Sequence, residues 1–77
     1  MKVKRLAISE DGFIFDPTTG NSFTTNETGL FILQFLKEGK SPEEIVRELV
    51  NQYDVDEQEA ERDVLDFMEK LRRYKLL

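Results

Sequence analysis

Asn21-Ser22-Phe23-Thr24-Thr25-Asn26-Glu27-Thr28-Gly29-Leu30-Phe31-Ile32-Leu33 is where the chain changes its period. Up to Thr25 the residues are uncharged and polar except for Phe23, which is flanked by Ser22 and Thr24. That is the pattern of a short, half-buried strand. From Leu30 the apolar residues run on through Leu33, Phe35 and Leu36 with almost no polar break. A helix apolar over so much of its circumference belongs in the interior. Between the two stand Asn26, a good N-cap, and Glu27, suited to the positive end of a helix dipole. A strand ends and a central helix begins within this stretch.

Toward the N-terminus, Asp16-Pro17-Thr18-Thr19-Gly20 is a turn, with proline setting φ early and glycine closing it. Phe13-Ile14-Phe15 before it is a short aromatic strand, and Glu10-Asp11-Gly12 is another turn. Lys4 to Ser9 alternates, with Leu6 and Ile8 on one face, and is expected to be the first strand. Two tight turns joining three strands imply an antiparallel meander. Phe13, Phe15 and Phe23 are expected to pack beneath it.

Toward the C-terminus, Gly39 stops the first helix in the usual position. Ser41-Pro42-Glu43-Glu44 starts the second, with serine as cap, proline in the first turn and Glu44 completing a capping box. Ile45, Val46, Leu49, Val50 and Tyr53 form its apolar stripe, which Asp54-Val55-Asp56 breaks. Asp56 caps a third helix, with Glu59 three residues on. Ala60, Val64, Phe67, Leu71 and Tyr74 mark its inner face. The expected fold is α+β, a three-stranded antiparallel meander followed by a three-helix bundle (βββααα), as one domain over residues 1–77. Three strands alone are marginal, so the sheet must lie against the helices.

Composition narrows the function. Cysteine and histidine are both absent, so thiol chemistry, thiolate metal sites and imidazole proton transfer are unavailable. With no catalytic constellation among the remaining groups, the expectation is a non-catalytic domain with no cofactor and no metal. The net charge of −5 works against binding a nucleic acid or an anionic membrane surface. No apolar run approaches membrane-spanning length, and the stretch after Met-Lys-Val-Lys-Arg is too brief for a signal peptide. A cytoplasmic protein is expected.

The sheet edges carry more information. Proteins usually guard edge strands with charge or proline. Lys2, Lys4 and Arg5 are expected to guard the first strand, whereas Asn21 to Thr25 is uncharged and proline-free. An unguarded edge beside an apolar helix is a ready groove for an extended peptide. It also permits a homodimer through the same edge. The second and third helices invite a winged-helix DNA-binding reading as the alternative. Against it, the would-be recognition helix opens with acids that repel phosphate, and the strands precede the helices. Those acids, followed by Lys70, Arg72, Arg73 and Lys75, are the polarity that a helix dipole favours.

An ordered set of segments resembles a known family. Phe15-Asp16-Pro17 leads through a glycine turn into Ser22-Phe23-Thr24-Thr25-Asn26-Glu27-Thr28-Gly29. Gly39-Lys40-Ser41-Pro42-Glu43-Glu44-Ile45-Val46, Tyr53-Asp54-Val55-Asp56, Asp63-Val64-x-x-Phe67 and a final Leu-Leu follow. The set is similar to PqqD, the coenzyme pyrroloquinoline quinone synthesis protein D, and the wider PqqD-like group of precursor-peptide recognition elements. The resemblance implies a winged-helix-like fold with its strands first. It implies binding of the leader of a ribosomally made precursor peptide, antiparallel to the third strand and against the third helix. It also implies presentation of that peptide to a modifying enzyme, often a radical S-adenosylmethionine enzyme. Carried onto this chain, the strand contacts come from Ser22, Phe23, Thr24 and Thr25. The helix wall comes from Ala60, Asp63, Val64 and Phe67, with Asp63 able to pair with a basic leader residue.

Overall fold

The computed structural model describes residues 2–77. A 3-10 turn, Lys2–Arg5, precedes β1 (Ala7–Ile8), β2 (Phe13–Phe15) and β3 (Ser22–Thr24). Three helices follow: α1 (Glu27–Lys37), α2 (Pro42–Tyr53) and α3 (Glu57–Arg73). The sheet order is β1-β2-β3, antiparallel throughout, so the α+β βββααα arrangement is the one expected.

The helix boundaries follow from their caps. Asn26 accepts a bond from the Gly29 N–H at 2.8 Å, and Asp56 accepts one from the Glu59 N–H at 2.7 Å. Ser41 and Glu44 bond reciprocally, each at 3.2 Å, as a capping box. The bond from the Ser41 N–H draws the Glu44 carboxyl below its usual range. At the end of α1, Gly39 takes φ +87°. There Lys40 N–H bonds Phe35 C=O and Gly39 N–H bonds Leu36 C=O, which satisfies carbonyls the helix itself cannot.

The N-terminus departs from expectation. Only Ala7 and Ile8 of Lys4–Ser9 join the sheet. Val3 and Leu6, three residues apart, are both fully buried. A 3-10 turn brings i and i+3 to the same side, and the Leu6 N–H closes it on the Val3 carbonyl at 3.2 Å. Burying both outweighs the alternation of Leu6 and Ile8. The cations of this segment therefore sit on the turn rather than along β1. Arg5 is held by Asp16 through two bonds of 3.0 and 2.8 Å, and Lys37 Nζ bonds the Leu6 carbonyl at 2.6 Å.

The aromatic strand is also reversed. Ile14 points into the core at 0% exposure, while Phe13 and Phe15 point outward at 61% and 46%. Neighbouring strand residues face opposite sides, so only one parity of Phe13-Ile14-Phe15 can be buried. Ile14 is aligned with Ile8 and Phe23, which fixes that parity. Phe23 is on the inner side, half-buried, and its ring stacks on Tyr74 at 4.8 Å.

Asp16 ties the turn of residues 16–20 to the N-terminal segment. It is 4% exposed, takes the Arg5 pair, and also accepts the Thr18 N–H at 3.0 Å. These bonds, Arg5 foremost, lower its pKa to about 2. An aspartate depressed in the fold stabilises it at pH above the ordinary unfolded value near 4, and that stability disappears as pH falls through about 2. Asp16→Asn is accordingly expected to be less stable than wild type at neutral pH. The gap closes between about pH 4 and pH 2 in denaturant titrations followed by circular dichroism. A gap that stays constant across that window removes the ion pair from the account.

Candidate binding groove

The register of β2 against β3 decides which backbone groups of β3 are free. Asp16 N–H bonds Asn21 C=O at 2.8 Å, and Thr25 N–H bonds Gly12 C=O at 3.0 Å. In an antiparallel pair, residues alternate between exchanging hydrogen bonds with the partner strand and turning away from it. Asn21, Phe23 and Thr25 therefore face β2. Ser22 and Thr24 aim their N–H and C=O groups at the open side of the sheet, where no further strand lies among the described residues.

Beside that edge runs α3. A groove of about 420 Å³ is lined by Thr24, Thr25, Gly29, Asp63, Phe67 and Lys70, with Asn26, Thr28, Ile32 and Asp66 completing it. Phe67 is 7% exposed, so its ring forms floor rather than wall. The groove's width depends on Gly29: a Cβ there would collide with Thr25 Oγ1 and come within 2.9 Å of the Phe67 ring. At the far end, the stack of Phe23 on Tyr74 joins β3 to the end of α3.

The proposed contact residues are placed unequally. Thr24, Thr25, Asp63 and Phe67 converge on this groove, and Ser22 and Phe23 continue the same edge. Ala60 is fully buried in the core. Val64 is buried too and lines a separate, larger depression of about 540 Å³ between α2 and α3, with Val46, Val50 and Leu65. That depression has more apolar lining but no strand edge, and so nothing to set the register of an extended chain. Gly29, Asp66 and Lys70 line the groove and Tyr74 stacks on Phe23 beyond its end, positions that sequence reading did not assign to a binding site. One available signal was Gly29, since glycine inside a helix costs about 1 kcal/mol relative to alanine and needs a reason to be there.

The family model described as coenzyme PQQ synthesis protein D (PqqD) matches residues 11–77. A solved structure described as TbiB1 in complex with the TbiA(beta) leader peptide superposes with a TM-score of 0.82. It is 37% identical, and the match covers 94% of this chain and 85% of that one. A lasso peptide synthetase B1 complexed with its leader peptide superposes with a TM-score of 0.76 at 28% identity, over 90% of this chain and 82% of that one. No curated protein matches at a significant level. With the family model spanning β2, β3 and all three helices, the chain belongs to the PqqD family.

Proposed function

We propose that this chain binds the leader segment of a ribosomally made precursor peptide as a fourth, antiparallel strand on β3 and presents it to a modifying enzyme. The observation that carries this reading is the outward aim of the Ser22 and Thr24 backbone groups beside a groove walled by α3. Family membership and the leader-peptide complexes of two similar structures support it. The role is that of a binding partner rather than a catalyst. A radical S-adenosylmethionine enzyme is one receiver, and the cytoplasm, where precursors are made, is the place of action.

The energetics suit a transient handover. Each backbone hydrogen bond contributes about 0.5–1.5 kcal/mol net, independent of leader side chains. Ordering a flexible leader costs roughly 2–5 kcal/mol. Apolar contact with Phe23 and Phe67 supplies the surplus and the selectivity. Affinity from low micromolar to high nanomolar follows. The test is a calorimetric titration with synthetic leaders from any short precursor reading frames found to neighbour this chain's gene, together with amide exchange by NMR. Leader is expected to slow exchange at Ser22 and Thr24 and to leave Phe23, already bonded to β2, unchanged. Binding no tighter than about 1 mM, or protection at other amides only, overturns the reading. The same edge fits a second copy of the chain; sedimentation would show such a dimer dissociating when leader is added.

A further inference from the structure

The groove is charged differently at its two ends. Phe23 stacks on Tyr74, whereas Thr25 and Phe67 meet around Gly29. Moving along β3 from Phe23 to Thr25 therefore means moving back along α3, from Tyr74 toward Phe67 and Asp63. A strand added antiparallel to β3 then runs in the same direction as α3. Its N-terminal part passes Asp63 and Asp66, and its C-terminal part passes Lys70, with Arg73 on the same helical face one turn on.

These charges are available. The ion pairs among the described residues are Arg5 with Asp16 and Arg72 with Glu69, so Asp63, Asp66 and Lys70 have no partner within 4.0 Å among those residues. We infer that Asp63, Asp66 and Lys70 are specificity residues that select a leader carrying a Lys or Arg before an Asp or Glu, and so fix its direction and register. This rests on the strand-addition reading above.

Spacing follows from helix and strand geometry. Asp66 and Lys70 are about 6 Å apart along the helix axis, and Asp63 and Lys70 about 10 Å. An extended peptide covers those spans in about two and three residues. Because side chains on one strand face recur every second residue, the cation stands about two to four positions before the anion. The backbone bonds alone accept any sequence in several registers, so a slip by two residues is opposed only by side-chain contacts, and these charges add to that cost. A peptide with the opposite charge order would meet like charges at both ends.

A random peptide library displayed on phage tests this against the full chain, its Asp63→Lys/Asp66→Lys variant and its Lys70→Glu variant. Wild type is expected to enrich Lys or Arg two to four positions before Asp or Glu. The acid-to-lysine variant replaces the leading cation with an anion, and Lys70→Glu replaces the trailing anion with a cation. A synthetic peptide from the wild-type selection is expected to bind about tenfold more tightly than its charge-reversed copy, and the difference shrinks in high salt. Peptides that Thr24→Pro no longer binds but that show no charge order would overturn the charge assignment alone. Peptides that bind Thr24→Pro as well as wild type, or no selected peptides at all, would overturn strand addition and this inference with it.

Discussion

Thr24→Pro is expected to weaken leader binding by a hundredfold or more while leaving the domain folded. The expectation comes from which way one N–H points. Thr24 lies opposite Phe13 in a pair that does not exchange bonds with β2, so its N–H belongs to the open edge. Proline deletes that donor and puts a ring where the leader's carbonyl would approach. A buried carbonyl left without a donor costs about 1–3 kcal/mol, and the ring adds steric exclusion. Each 1.4 kcal/mol is about tenfold, so a micromolar complex moves to the edge of detection. The sheet itself loses no bond. Phe23, the residue before the new proline, is already extended, the conformation proline imposes on its neighbour. Two companions make the result readable. Thr24→Ala keeps the N–H and is expected to bind within a few-fold of wild type. Phe23→Pro deletes a bond to β2 and is expected to unfold the sheet. Calorimetry for binding and circular dichroism for folding separate the cases. A folded Thr24→Pro that binds normally means the leader lies elsewhere.

How much of this could be read from residues alone depended on whether the deciding forces were local. The helices were legible because Asn26, Ser41 with Glu44, and Asp56 bond donors three residues away. The first strand was not, because Val3-x-x-Leu6 and Leu6-x-Ile8 are rival patterns in one segment. Only the packing of the first pair into the core chooses between them. Phe13-Ile14-Phe15 has the same ambiguity of parity, and cross-strand alignment with Phe23 resolves it. The two halves of the groove differ likewise. The strand half showed itself by what it lacks, charge and proline. The helix half depends on which sector of α3 meets β3. Ala60 and Val64 lie on the sector turned to the other helices, while Asp63, Phe67 and Lys70 are rotated toward the strand. That rotation is a property of how the helices cross, and no short window of sequence contains it.

Gly29→Ala is the second large effect, and it tests whether the groove is shaped by a missing side chain. In an unconstrained helix the change would stabilise by about 1 kcal/mol, because alanine is the better helix former. Here the new methyl would overlap Thr25 Oγ1 and press the Phe67 ring at 2.9 and 3.2 Å. The Thr25 backbone is fixed by its N–H bond to Gly12, its β-branched side chain is restricted at χ1, and the Phe67 ring is buried, so neither yields freely. Forced overpacking costs about 1–3 kcal/mol, which matches or exceeds the propensity gain. The net expectation is a loss of roughly 1 kcal/mol, a fall in midpoint of about 4–8 °C for a domain of this size. Binding is expected to suffer more than stability. Relief comes from pushing Thr25 outward or tilting Phe67 up, and both movements narrow the channel the leader would occupy. The double variant Gly29→Ala/Thr25→Ala removes the harder of the two collisions, so its midpoint should recover beyond the sum of the single changes. That positive coupling is the signature of direct contact. A Gly29→Ala protein that melts higher than wild type and binds leader equally well would mean that the strand and helix walls move apart at little cost. Glycine would then set neither the width of the groove nor its selectivity.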